Sequence, residues 1–103
     1  IVRDYIHIDD VTNAFVLSLE SILGANNLPN VINIGSGTGY SVKNVVELFG
    51  VYSNVRARFV PQKSRSEDVK HIVLDVSRAT KYLNWSPKLE LSEWVKGVML
   101  NER

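Results

Sequence analysis

Gly35-Ser36-Gly37-Thr38-Gly39-Tyr40-Ser41 is the stretch on which the fold turns. It follows a short apolar run, Val31-Ile32-Asn33-Ile34, and precedes a helical pattern. Strand, glycine turn and helix in that order invite a dinucleotide-binding reading. The spacing refuses it. That fingerprint needs Gly-x-Gly-x-x-Gly entering a helix, with an acidic residue about 20 positions later. Here the glycines alternate, and Tyr40 stands where the third glycine belongs. Two readings remain. The stretch is a tight strand-to-helix connection with Ser41 as helix cap, or a backbone cradle for a ligand phosphate or sugar.

Working outward, Ser41 caps a helix that carries Val42, Val45, Val46 and Phe49 on one face, and Gly50 sits where a terminating glycine belongs. Upstream, residues 2–8 are β-branched and aromatic and predict a strand. Asp9-Asp10 predicts a helix start with an acidic cap. Val11, Ala14, Phe15, Ser18, Leu19 and Ile22 then recur at helical spacing, with Gly24, Asn26-Asn27 and Pro29 as the stop. Downstream, Val55, Ala57 and Phe59 alternate with Arg56 and Arg58, a half-buried strand that ends at Pro61. Residues 62–71 are polar and read as a surface loop, and Ile72-Val73-Leu74 as a minimal strand. Ser77 caps a short helix to Leu83, which Asn84 ends in the left-handed conformation. Leu91, Trp94, Val95, Val98 and Met99 mark a last amphipathic helix. The order β-α-β-α-β-(β)-α-α implies an α/β layer, with short strands and covering helices.

The 103 residues make one small domain, 1–103, with 45% hydrophobic and 22% charged residues, a globular balance. Twelve Lys+Arg against eleven Asp+Glu give +1, which argues against a nucleic-acid partner held by bulk charge. With no cysteine there is no disulfide, thiolate metal site or cysteine nucleophile. No apolar run nears the roughly 20 residues that span a bilayer, so no membrane partner is expected. No signal peptide opens the chain, and a cytoplasmic location is expected. A strand-like run begins at Ile1 with no initiator Met, the pattern of a piece from a longer chain.

Few residues carry candidate chemistry. Arg3 lies in an apolar and aromatic strand and is either an exposed strand arginine or a phosphate clamp. Arg65 and Asp68, three apart, are solvated loop charges or the holders of a phosphate and a sugar hydroxyl. His7 and His71 have no second histidine at metal spacing. Asp9-Asp10 reads as a cap rather than an acid/base pair, and Trp85 and Trp94 as core.

Four blocks resemble one family. Arg3-Asp4-Tyr5-Ile6-His7-Ile8-Asp9-Asp10-Val11 is similar to the RDYIHV-x-D signature of the NAD-dependent epimerases/dehydratases, the extended short-chain dehydrogenases/reductases. Residues 33–42 resemble that family's NIGSG-x-G-x-SV stretch, 65–79 its R-P-G-D block, and Leu83-Asn84-Trp85-Ser86-Pro87 its LGW-x-P motif. Together the blocks cover nearly the whole chain, and the first two lean toward UDP-sugar 4-epimerases. The resemblance implies a small substrate-binding subdomain without its Rossmann half. In the family that half binds NAD and carries a catalytic Tyr-x-x-x-Lys. Here Tyr5, Tyr40, Tyr52 and Tyr82 are followed four residues on by Asp9, Asn44, Arg56 and Ser86, so no catalytic residue is expected in this chain.

Position by position, Arg3 and Arg65 match the family's two pyrophosphate arginines. Asp68 matches the carboxylate that accepts from ribose hydroxyls, and Tyr5 lies beside that site. The implied partners are a UDP-sugar or related nucleotide sugar and the missing Rossmann domain. NAD belongs to the parent protein, with none bound by this chain. The implied parent reaction is UDP-glucose/UDP-galactose 4-epimerisation; a dehydratase, decarboxylase or reductase of the same family, and a non-catalytic binding module, are the alternatives. Loss of the Rossmann half is expected to leave apolar surface along the first strand and its helix, and hence self-association. Three positions depart from the pattern: Glu67 where glycine is usual, Asn44 where glutamate completes a capping box, and Asn84 for the glycine of LGW.

Overall fold

The computed structural model describes residues 1–53 and 69–101. The elements are β1 (Val2–Asp4), α1 (Ile8–Leu23), β2 (Gly39–Ser41), α2 (Val42–Ser53), α3 (Ser77–Leu83) and α4 (Leu91–Asn101). This is a small α/β arrangement of short strands and covering helices, as expected. β1 and β2 pair antiparallel, with Val2 opposite Ser41, Arg3 opposite Tyr40 and Asp4 opposite Gly39. On its other edge β1 meets residues 70–72. The Val2 amide donates to Lys70 O at 2.7 Å and Ile72 N donates to Val2 O at 3.0 Å. The minimal strand expected at 72–74 is thus a single parallel bridge at His71.

Five sequence expectations are corrected. The first strand ends at Asp4, because the chain turns at His7 to enter α1. His7, not the Asp9-Asp10 pair, is the N-cap, its Nδ1 accepting from Asp9 N at 3.0 Å. Val31–Ile34 forms no strand. Among the described residues the one hydrogen bond to it comes from Arg78 Nη1 to Val31 O, 3.1 Å. The run is β-branched, but among the described residues it has no neighbouring strand with which to build a ladder. Gly50 does not end α2, which continues to Ser53. Lastly, Ser77 is not a cap; its amide donates to Asp75 Oδ1 at 2.9 Å, so the aspartate two residues earlier opens α3. The strand expected at 55–59 and most of the loop at 62–71 lie outside the described residues.

Other local signals hold. Ser41 Oγ accepts from Asn44 N (3.0 Å) and Asn44 Oδ1 accepts from Ser41 N (3.2 Å), so asparagine completes the capping box at the start of α2. Asn84 is left-handed at φ 52°, and ends α3. α1 ends in a Schellman motif, with Ala25 N to Ile22 O and Asn26 N to Ser21 O. The left-handed residue there is Ala25, at φ 60°.

The core gathers Ala14 from α1 with Ala79, Leu83 and Trp85, flanked by Ile6, Leu17, Leu28 and Ile34. Alanines at the α1–α3 contact let the two helices approach closely, and Trp85 fills the space beside them. Trp85 is 1% exposed, and its indole N–H donates to Asp10 O at 3.0 Å. Asp10 is itself 4% exposed. Its carboxylate accepts from the amides of Lys88 (3.2 Å) and Leu89 (3.0 Å). The residue expected to cap α1 therefore ties the 85–89 connection to the first turn of that helix. Trp94 is half-buried, edge-on to His7 at 5.8 Å between ring centroids. Among the described residues, no helix is long and apolar enough to cross a membrane.

Candidate functional site

Side chains alternate across a strand, so β1 presents two different faces. Val2 and Asp4 point one way. Arg3 points the other and shares its face with Tyr40, its partner in the ladder. Tyr5 continues the Arg3 face just beyond the strand.

Asp4 organises the glycine turn. Its carboxylate accepts from Ser36 N (2.7 Å), Ser36 Oγ (2.6 Å), Gly37 N (2.9 Å) and Leu74 N (3.1 Å). Burial acts to raise its pKa. The bonds from the Ser36 hydroxyl and the three amides outweigh that and hold it below the ordinary aspartate value. The turn has no room for larger residues. A Cβ on Gly35 would lie 2.8 Å from Leu74 Cδ1 and 2.9 Å from Asp4 Oδ2. Gly37 has φ +71°, a left-handed conformation that glycine adopts without strain. Two of the turn's amides are spent on Asp4, so they are not available to a phosphate.

Beside this turn lies a cleft of about 340 Å³. Tyr5, Ser36, Thr38 and Tyr40 line it together with Pro87, Leu89, Glu90 and Leu91. Arg3 sits in the adjoining ladder, half-buried, with Nη1 donating to Val2 O at 2.9 Å. A guanidinium has five N–H donors, so one such bond leaves a fork able to meet an anion. Arg3 and Tyr5, both expected as binding residues, are thus brought to one face. Arg65 and Asp68, the other two, lie outside the described residues, as does Glu67.

No family model matches the chain. A curated relative, the UDP-glucose 4-epimerase of Corynebacterium glutamicum, is 38% identical over 89 residues, which is 84% of this chain and 26% of that protein. The dTDP-4-dehydro-6-deoxyglucose reductase of Escherichia coli is 32% identical over 93 residues, 90% of this chain and 28% of that protein. The crystal structure of UDP-glucose 4-epimerase from Bifidobacterium longum, in complex with NAD+ and UDP, superposes with a TM-score of 0.82 at 28% identity. It covers 95% of this chain and 29% of that one. The chain is similar to the NAD-dependent epimerases/dehydratases. It corresponds to the C-terminal part of these extended short-chain dehydrogenases/reductases and is most like the UDP-glucose 4-epimerases. It spans about a quarter of the length of the curated relatives it matches.

Three residues that the sequence reading did not single out shape the site. Asp4 is adjacent to Arg3 in the strand, but nothing local marks it as the anchor of a turn more than 30 residues away. Tyr40 was legible only as a misfit to a glycine pattern. Glu90 precedes an amphipathic helix and reads as a surface charge; only the fold brings it beside Tyr5 and Tyr40.

Proposed function

We propose that this chain is the nucleotide-sugar-binding part of an NAD-dependent sugar-nucleotide epimerase whose parent reaction is UDP-glucose/UDP-galactose 4-epimerisation. The observation that carries this reading is Arg3 paired in the ladder with Tyr40, which with Tyr5 lines a cleft, in a domain similar to an epimerase solved with NAD+ and UDP. In this reading Arg3 and Arg65 hold the two phosphates, Asp68 accepts from a ribose hydroxyl, and Tyr5 borders the nucleotide. Their contribution is binding and orientation. NAD accepts hydride from the sugar in the parent protein. It is held by a dinucleotide-binding half and not by this chain, whose glycine turn is committed to Asp4.

That half is also the proposed cover for the apolar face of α1. Phe15 is 72% exposed and Leu23 77%, with Leu19 and Ile22 exposed between them. In the run Val31–Ile34, Val31 is exposed as well.

Titration of UDP into the isotopically labelled 103-residue chain tests the reading by amide shifts. The expected shifts centre on Arg3, Tyr5 and residues 65–68, and weaken in Arg65→Ala. Shifts confined to other regions overturn it. Supplied with NAD and UDP-glucose, the pure chain is expected to show no turnover.

A further inference from the structure

We infer that Asp4 is a positioning residue for Arg3, holding the strand edge on which the Arg3 guanidinium rests. On the nucleotide-sugar reading Arg3 meets the anion, and on that reading this role rests. Val2 O accepts two bonds, from Arg3 Nη1 at 2.9 Å and from Ile72 N at 3.0 Å. The guanidinium is therefore seated on the edge where β1 meets residues 70–72, and that seat sets where its remaining N–H donors lie. The pairing along this edge is parallel, Val2 with His71. A continued parallel ladder brings the Leu74 amide to the Asp4 carbonyl. Here the Leu74 amide donates to the Asp4 carboxylate at 3.1 Å. The next rung of the edge thus depends on a side chain. Val73, between the two rungs, packs on the ladder: a Cβ on Gly39 would lie 2.6 Å from Val2 Cγ1 and 2.7 Å from Val73 Cγ2.

The same carboxylate accepts from Ser36 N, Ser36 Oγ and Gly37 N, at 2.7, 2.6 and 2.9 Å. These bonds fix the turn that leads into β2, whose Tyr40 pairs with Arg3. Asp4 therefore holds both neighbours of the strand that carries Arg3: the turn before β2 and the stretch at 70–74. Its bonds keep the carboxyl below the ordinary aspartate value, so it stays charged and remains an acceptor on both oxygens. A guanidinium seated before the anion arrives loses little freedom on binding. One released from Val2 O regains the rotamers of a long side chain and must be ordered again, which lowers affinity.

A double-mutant cycle separates positioning from general support of the fold. UDP and inorganic pyrophosphate are each titrated into the labelled chain, Asp4→Asn, Arg3→Ala and the double variant. Asparagine keeps the size of the side chain and turns one acceptor oxygen into a donor. Asp4→Asn is expected to weaken both ligands about fivefold where Arg3 is present, and to have no further effect in the Arg3→Ala background. Asp75→Asn removes a carboxylate that holds the Ser77 amide, outside this network, and is expected to bind as the parent does. The unaltered chain gives a second readout that needs no folded variant. Coupling is reciprocal, so an anion on Arg3 strengthens the edge that seats it. With pyrophosphate bound, the Ile72 and Leu74 amides are expected to exchange about fivefold more slowly relative to the Trp85 amide, which reports opening of the core. Additive losses in the cycle overturn the inference. So does an equal loss in Asp75→Asn, or unchanged protection of Ile72 and Leu74. If Arg3→Ala weakens binding and Asp4→Asn does not, this inference fails alone. If Arg3→Ala binds UDP as the parent does, the nucleotide reading fails and takes this role with it.

Discussion

Asp4 and Leu74 are 70 residues apart in the chain, and the Leu74 amide donates to the Asp4 carboxylate at 3.1 Å. The same carboxylate holds Ser36 and Gly37, so one side chain joins β1, the glycine turn and the strand-like stretch before α3. Asp4→Ala leaves three amides and a hydroxyl without that acceptor. The expected cost is at least about 2 kcal/mol, since hydrogen bonds to a charged group are each worth roughly 1.5–3 kcal/mol. Urea unfolding of the variant checks it, and an unchanged midpoint would remove Asp4 from this role.

The pH dependence follows from the same bonds. Asp4 has a folded pKa below its unfolded value of about 4. The unfolded state therefore binds the proton first as pH falls. The Asp4 contribution is complete above about pH 4 and is lost as pH drops through the folded pKa. Asp75, also lowered, chiefly by the Ser77 amide, acts with the same sign. Stability measured from pH 5 downward should fall steeply in the parent, less steeply in Asp75→Asn, and least in the double variant with Asp4→Asn.

A second carboxylate does comparable work at greater depth. Asp10 accepts from two amides of the 88–89 segment, and its carbonyl receives the Trp85 indole. Asp10→Ala is expected to cost about 3 kcal/mol and to loosen residues 86–90. Trp85→Phe, which removes one donor and some volume, should cost less. Hydrogen exchange at Leu89 and Leu91 distinguishes local loosening from global loss of stability.

The end of α1 offers a gain instead. Ala25 occupies the left-handed C′ position of the Schellman motif at φ 60°, where a Cβ costs roughly 1–2 kcal/mol. Glycine removes that strain and adds back some unfolded-state entropy. Ala25→Gly should therefore stabilise the chain by about 0.5–1 kcal/mol, read as a raised Tm; a lower Tm would contradict the assignment.

What was legible in the sequence was local. Helical faces, the capping function of Ser41 and the left-handed Asn84 depend on residues within a turn or two of each other, and each was read correctly. Val31–Ile34 was read as a strand because its composition is strand-like, but a strand also needs a neighbour, which composition does not supply. Asp9-Asp10 looked like a cap because acidic residues favour a helix start, whereas the buried Asp10 carboxylate serves a segment nearly 80 residues away. Of the site, Arg3 and Tyr5 were found through motif resemblance. Tyr40 and Glu90 were not, since their common cleft exists only after β1 has paired with β2 and Asp10 has drawn in the 88–89 segment.

The uncovered face of α1 has a consequence for the chain on its own. Phe15, Leu19, Ile22 and Leu23 are all exposed. An exposed apolar stripe favours pairing with another copy. Sedimentation of the purified chain should show concentration-dependent association. Phe15→Lys with Leu19→Lys should abolish it without lowering Tm, because neither side chain is in the core. A parent that stays monomeric at high concentration, or a double variant that associates equally well, would show that this face does not drive association.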